Sequence, residues 1–177
     1  LDSLDNQALR KVGNVFDGGF DLEPMNQFFD WTLSPFPNAE MGLVSGRNQS
    51  GDQDLHLSFA GTRQVFNNVS QYLKLRTGYY ALRGDEAALN FKAVAGLRFV
   101  LSCAESGAHL GASEVFKETA PWHTFMMEFS VPPEQCATQI LLLQSASTAV
   151  LDAPMSGEIL FDDIAVEPAS PGTSTSP

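Results

Sequence analysis

The chain is short of cations: 10 lysines and arginines stand against 21 aspartates and glutamates, a formal charge of −11. That balance opposes the basic footprint of a nucleic-acid binder and of a surface drawn to anionic lipid, so neither is expected as a partner. Long apolar runs are missing as well. None approaches the roughly 20 residues a spanning helix needs, and no membrane span is expected in this segment. The chain opens at Leu1 with neither an initiator Met nor a signal-like apolar stretch, and reads as processed or excised from a longer protein. Histidine is scarce: His56, His109 and His123 lie far apart without ligand spacing. No His-Glu-x-x-His, Gly-x-Ser-x-Gly or phosphate-cradling glycine motif occurs. Carboxylate pairs for glycoside hydrolysis would have to come from distant strands, and nothing selects a pair. No enzymatic activity is expected. A long 3.6-residue apolar period is also absent between the ends, which argues against a helical domain.

What the chain does have is a succession of short alternations separated by turn residues. Leu55, Leu57 and Phe59 alternate with His56, Ser58 and Ala60, and Gln71, Leu73 and Leu75 with Tyr72, Lys74 and Arg76. Phe125, Met127, Phe129 and Val131 share one side of a segment that stops at Pro132-Pro133. Ile140-Leu141-Leu142-Leu143 is apolar on both faces and predicts a central strand. With 177 residues the chain suits one domain. About ten strand-like segments predict an all-β, mostly antiparallel jelly-roll β-sandwich over residues 14–168. Residues 1–13, where Ser3 could cap a turn carrying Leu4, Ala8 and Val12, read as a linker or the end of an upstream helical region. Residues 169–177 are rich in Ser, Thr, Pro and Gly and predict a disordered tail.

The closing strand, Gly157 to Val166, carries an irregularity. Ile159 and Phe161 share one face, but Ile164 and Val166 fall on the other unless the phase slips by one residue. A β-bulge at Asp162-Asp163 restores it. A carboxylate turned inward there needs a cation or hydrogen-bond donors. The first and last strands of a sandwich often lie close together, so Asp17 and Asp21 could join Asp162 and Asp163 in a set of hard oxygen ligands, with Asp52 or Asp54 adding another. Such donors suit Ca²⁺; the alternative is a group of turn and solvated carboxylates. By parity Cys103 lies with Leu97, Phe99 and Leu101, and Cys136 with Ile140 and Leu142, so both cysteines are expected to point toward the core. They are either a disulfide across neighbouring strands, which would imply an oxidising compartment, or two buried thiols.

Several stretches in order carry a resemblance: Gly18-Gly19-Phe20-Asp21, Asp54-Leu55-His56-Leu57-Ser58-Phe59, Val69 to Leu75 followed by Gly78-Tyr79-Tyr80-Ala81-Leu82, Pro121-Trp122-His123-Thr124-Phe125, and the final Gly-x-Ile-x-Phe-Asp-Asp-Ile. The chain resembles the galactose-binding-domain-like β-sandwiches, which include many carbohydrate-binding modules, over most of residues 14 to 167. The resemblance implies a jelly roll with a structural Ca²⁺ between its first and last strands, falling here on Gly19, Asp21 and Asp162. Where such modules often begin Asn-Gly-x-Phe-Glu, this chain has a carboxylate one methylene shorter at Asp21. The chain also resembles the C-terminal domains of proteobacterial envelope proteins that carry tetratricopeptide repeats.

Sugar rings stack on aromatic faces while polar groups fix their orientation. Trp31 and Trp122 are the candidate platforms, unless both are core. Tyr72, Tyr79, Arg83, Arg98, Glu128 and Gln139 have the parity of outward sheet positions, where they form either a ligand-binding face or an ordinary solvated one. The expectation is a non-catalytic module of a larger periplasmic or extracellular protein, binding an oligo- or polysaccharide. The rival is a protein–protein interaction or scaffolding domain that meets no sugar.

Overall fold

Alternating apolar residues give each strand one face to bury, and the computed structural model, which describes residues 14–27, 29–46, 52–63, 65–149 and 154–171, is all-β. The expectations for residues 1–13 and for the tail beyond Pro171 fall outside the described residues. Nine strands run β1 (Thr32–Leu33), β2 (Ala39–Ser45), β3 (Gln53–Arg63), β4 (Val69–Leu73), β5 (Gly78–Cys103), β6 (His109–Ala112), β7 (Phe116–Val131), β8 (Gln139–Ser145) and β9 (Pro154–Pro168). Every pairing among them is antiparallel. The count falls near the expected ten because β5, 26 residues long, joins two segments that read as separate strands.

β5 belongs to both layers of the sandwich. Its N-terminal half pairs with β7 and β9, its C-terminal half with β8 and β6. One layer is therefore β2-β3-β9-β5-β7, and the other β1-β4-β8-β5-β6. Asn90 (φ 47°) and Gly96 (φ 84°) make the crossing between them. At the crossing β9 comes in close: a Cβ on Gly157 (φ 93°) would overlap the Asn90 carbonyl and stand 2.8 Å from the Phe91 Cα, so only glycine fits. Between the layers, Phe99 of the second stacks on Phe125 of the first at 5.6 Å and meets Phe161 edge-on at 5.2 Å. Each such ring contributes roughly 1.5–3 kcal/mol by burial.

The slip in β9 has the form the alternation requires. Arg83 faces Ala165 while Asp85 faces Asp162, so two steps of β5 span three of β9, and Asp163 takes a positive φ of 50°. Ile159, Phe161, Ile164 and Val166 are all fully buried as a result.

One phase was misread in the sequence. Leu141 and Leu143 point into the core, whereas Ile140 and Leu142 face outward, half-buried. β8 begins only at Gln139, and Cys136 lies in the preceding loop, beyond Gln135 at φ 53°, so its burial sets no parity for the strand. Cys136 reaches Cys103 from that loop, and the two form a disulfide with Cα atoms 4.8 Å apart.

Candidate ligand face and carboxylate cluster

Register converts the second layer into a map of outward side chains. Ser102 pairs with Ile140, which pairs with Tyr72; Val100 pairs with Leu142, which pairs with Ser70; Arg98 pairs with Gln144. These rows lie side by side on one face of β4, β8 and β5. Neighbouring strands are about 4.8 Å apart and residues rise about 3.4 Å, so the diagonal from Tyr72 to Arg98 is on the order of 16 Å. The outward positions here are shaded: Tyr72, Arg98, Ile140, Leu142 and Gln144 are half-buried, and Val100 is only 6 % exposed. An apolar strip thus runs along a recessed face, with a tyrosine at one corner and an amide and a guanidinium at the other.

The first layer is different. Tyr79 (53 % exposed), Arg83, Met126 (67 %) and Glu128 stand out from β5 and β7, and Arg83 forms an exposed ion pair with Glu167 at 3.1 Å. The six residues expected on one ligand-binding face are therefore divided. Tyr72 and Arg98 share the recessed face; Tyr79, Arg83 and Glu128 lie on the opposite side of the molecule. Gln139 is on neither. It is fully buried, accepts a hydrogen bond from the Leu75 amide at 2.8 Å and donates to the Cys136 carbonyl at 2.6 Å. Its outward assignment is corrected by the true phase of β8. The same shift hid Ile140, Leu142 and Gln144, whose signal is simply that they alternate with the two leucines that are core.

Trp31 is core: fully buried, stacked on Phe20 at 5.0 Å, with its indole N–H donating to the Asp17 carbonyl at 3.0 Å. Trp122 is half-buried on β7. A cleft of about 680 Å³ lies away from both faces, at the loop end beside the disulfide, between Lys74, Arg76, Glu105, Pro132 and Pro133.

The acidic residues also sort differently from the expected set of Gly19, Asp21 and Asp162. Pairing of Leu55 with Phe161 brings Asp54 alongside Asp162, and Asp52, Asp54 and Asp162 offer oxygens within 4.8 Å of one another. Asp162 is fully buried; Oδ1 accepts from the Asp163 amide at 2.8 Å, while Oδ2 is buried without a hydrogen-bond partner among the described residues. Burial first, then the carboxylates of Asp163, Asp54 and Asp52, push its pKa up to about 8. Gly19 and Asp21 sit across the bulge from this group: a Cβ on Gly19 would stand 3.4 Å from Asp21 Oδ2 and 3.8 Å from Asp163 Oδ1. Asp163, not Asp162, is turned toward them. Asp17 closes the first turn, accepting from the Asp21 and Leu22 amides at 2.9 and 3.1 Å, and burial raises its pKa to about 6. Glu86, buried and 3.2 Å from His123 Nδ1, is raised to about 7 by burial.

No family model and no curated protein matches the sequence. Solved structures do match the fold. A family 4 carbohydrate-binding module is similar at TM-score 0.59 and 15 % identity, over 88 % of this chain and 99 % of its own. The first family 22 xylan-binding domain of Paenibacillus barcinonensis Xyn10C is similar at TM-score 0.52 and 16 % identity, over 86 % of this chain and 92 % of its own. The module TmCBM61, solved with β-1,4-galactotriose, is similar at TM-score 0.54 and 14 % identity, over 88 % and 98 %. The class that the fold defines is an antiparallel β-sandwich, the architecture these carbohydrate-binding modules share. At these identities the likeness concerns architecture, and this chain's own residues must supply the argument for a ligand.

Proposed function

We propose that the protein is a non-catalytic sugar-binding module of a periplasmic or extracellular protein, and that its ligand lies along the recessed face of β4, β8 and β5. The observation that carries this reading is the strip of Val100, Ile140 and Leu142, bordered by Tyr72 at one corner and by Gln144 and Arg98 at the other. Apolar contacts there would accept sugar ring faces while the few convergent polar groups orient hydroxyls. The disulfide supports an oxidising compartment. The reading is tested by affinity electrophoresis and calorimetry on a panel of plant and bacterial polysaccharides. Tyr72→Ala and Gln144→Ala should each weaken binding about tenfold, and Tyr79→Ala and Arg83→Ala should leave it unchanged. A panel that is silent throughout, or a loss confined to the first-layer variants, would overturn it, and silence would favour the protein-docking alternative.

We also assign Ca²⁺ to Asp52, Asp54 and Asp162. Three carboxylates converging on a buried oxygen without a donor are a hard, anionic donor set of the kind Ca²⁺ takes. A bound ion would offset their mutual repulsion and fix the start of β3 against β9. Asp21, from the set the resemblance implied, stands next to Asp163 across the bulge.

A further inference from the structure

Charge is sorted between the two layers in a way the totals conceal. None of the 21 acidic residues falls in β1, β4, β6, β8 or the part of β5 from Leu89 to Cys103. The first layer carries its acids on every strand: Glu40, Asp54, Asp85, Glu118, Glu128 and Glu158 are among them. The recessed face is therefore free of carboxylates on its own strands, and its outward charge is Arg98.

Arg98 is also short of partners. It is half-buried, its Nε is wholly shielded from solvent, and its guanidinium makes no hydrogen bond or ion pair with the described residues. Glu114, the acid that follows β6, is turned elsewhere, with Oε1 3.6 Å from His123 Nε2. With Nε sealed in, the guanidinium presents its two terminal N–H groups to this face, and end-on they form a fork that matches the two oxygens of a carboxylate. The neighbours of Arg98 on this face are neutral: Gln144 across the ladder and Val100 two residues on. Among the described residues nothing accepts from these terminal N–H groups, which are open to a ligand on this face.

We infer that the ligand of the recessed face is an acidic glycan, a uronic-acid-containing polysaccharide whose carboxylate pairs with the Arg98 fork while neutral ring faces lie on Val100, Leu142 and Ile140. This rests on the sugar-binding reading above and narrows it to a substrate class. Hydroxyls could satisfy one N–H at a time. A carboxylate satisfies two and neutralises the charge, on a face whose own strands carry no acid.

The experiment is calorimetry at physiological salt with polygalacturonate, alginate and hyaluronan, each beside its carboxyl-reduced counterpart, and with neutral xylan and galactan. At least one acidic polymer should bind ten- to a hundredfold more tightly than its reduced form. Arg98→Gln should bring the two forms to equal affinity, and Arg98→Lys, which keeps the charge but loses the fork, should recover only part of the difference. The melting temperature of Arg98→Gln should equal or exceed that of the parent, because the substitution removes an unpartnered buried donor; a large drop would show that Arg98 has a structural role and overturn the inference. Equal binding of native and reduced polymers, binding of the neutral glycans alone, or preference for a sulfated glycan would overturn it while leaving the sugar-binding reading intact. No binding to any glycan would overturn both.

Discussion

At the residue scale, three side chains carry consequences that a contact list alone would not show. Gln139 bridges the Leu75 amide and the Cys136 carbonyl from a fully buried position. Gln139→Ala strands both groups in the core and should cost about 2–4 kcal/mol, read as a lower midpoint in urea, without changing glycan affinity. Asp162, held at about 8 in the fold against 3.8 for the free group, binds a proton more tightly folded than unfolded. Its protonated form therefore stabilises the fold fully below about pH 4, and that stabilisation is lost as pH rises toward 8. Glu86 at about 7 and Asp17 at about 6 act in the same direction. In chelator the melting temperature should fall between pH 5 and pH 8; Ca²⁺ should restore it at pH 8 and have little effect at pH 5, where protons compete. With free Ca²⁺ a hundredfold above Kd the restoration is about 2.7 kcal/mol. Asp162→Asn should abolish the Ca²⁺ dependence and shrink the pH dependence to the part that Glu86 and Asp17 supply. Melting curves that coincide with and without Ca²⁺ at pH 8 would remove the metal assignment.

Among the strands and loops, the sequence was most legible where a strand's own period is uninterrupted. Leu55, Leu57 and Phe59, and Phe125 through Val131, alternate as read, and the slip between Phe161 and Ile164 was visible because four apolar residues bracket it. What lay outside the local pattern was harder to read. The phase of β8 could not be taken from Cys136 because a loop intervenes, and that single displacement put Gln139 outside. The cluster of Asp52, Asp54 and Asp162 exists only through the register of β3 with β9, a long-range pairing that no short window contains. The disulfide ties the end of β5 to the β7–β8 loop across a sequence separation of 33. Loop-closure entropy makes that worth about 3–4 kcal/mol, so Cys103→Ser with Cys136→Ser should lower stability by that amount, and reduction of the parent should do the same.

For the whole molecule, β5 makes the two layers one cooperative unit, since neither can lose the strand they share without unzipping the other. Hydrogen exchange of the amides of β8 and β9 should therefore converge on one opening free energy under denaturant, although they sit in different layers. Two separate values would mean that the crossing at Asn90 and Gly157 acts as a hinge. Sorting of the acids to one side has a further effect, which belongs to no single contact. A body with its negative charge gathered on one broad side has an electric dipole across its thickness as well as a net charge, and an external field exerts a torque on it. Adsorbed on a cationic resin or electrode, the protein should lie with the first layer against the support and the opposite side toward solution. Immobilisation by simple ion exchange would then be oriented, with no tag and no chemical coupling.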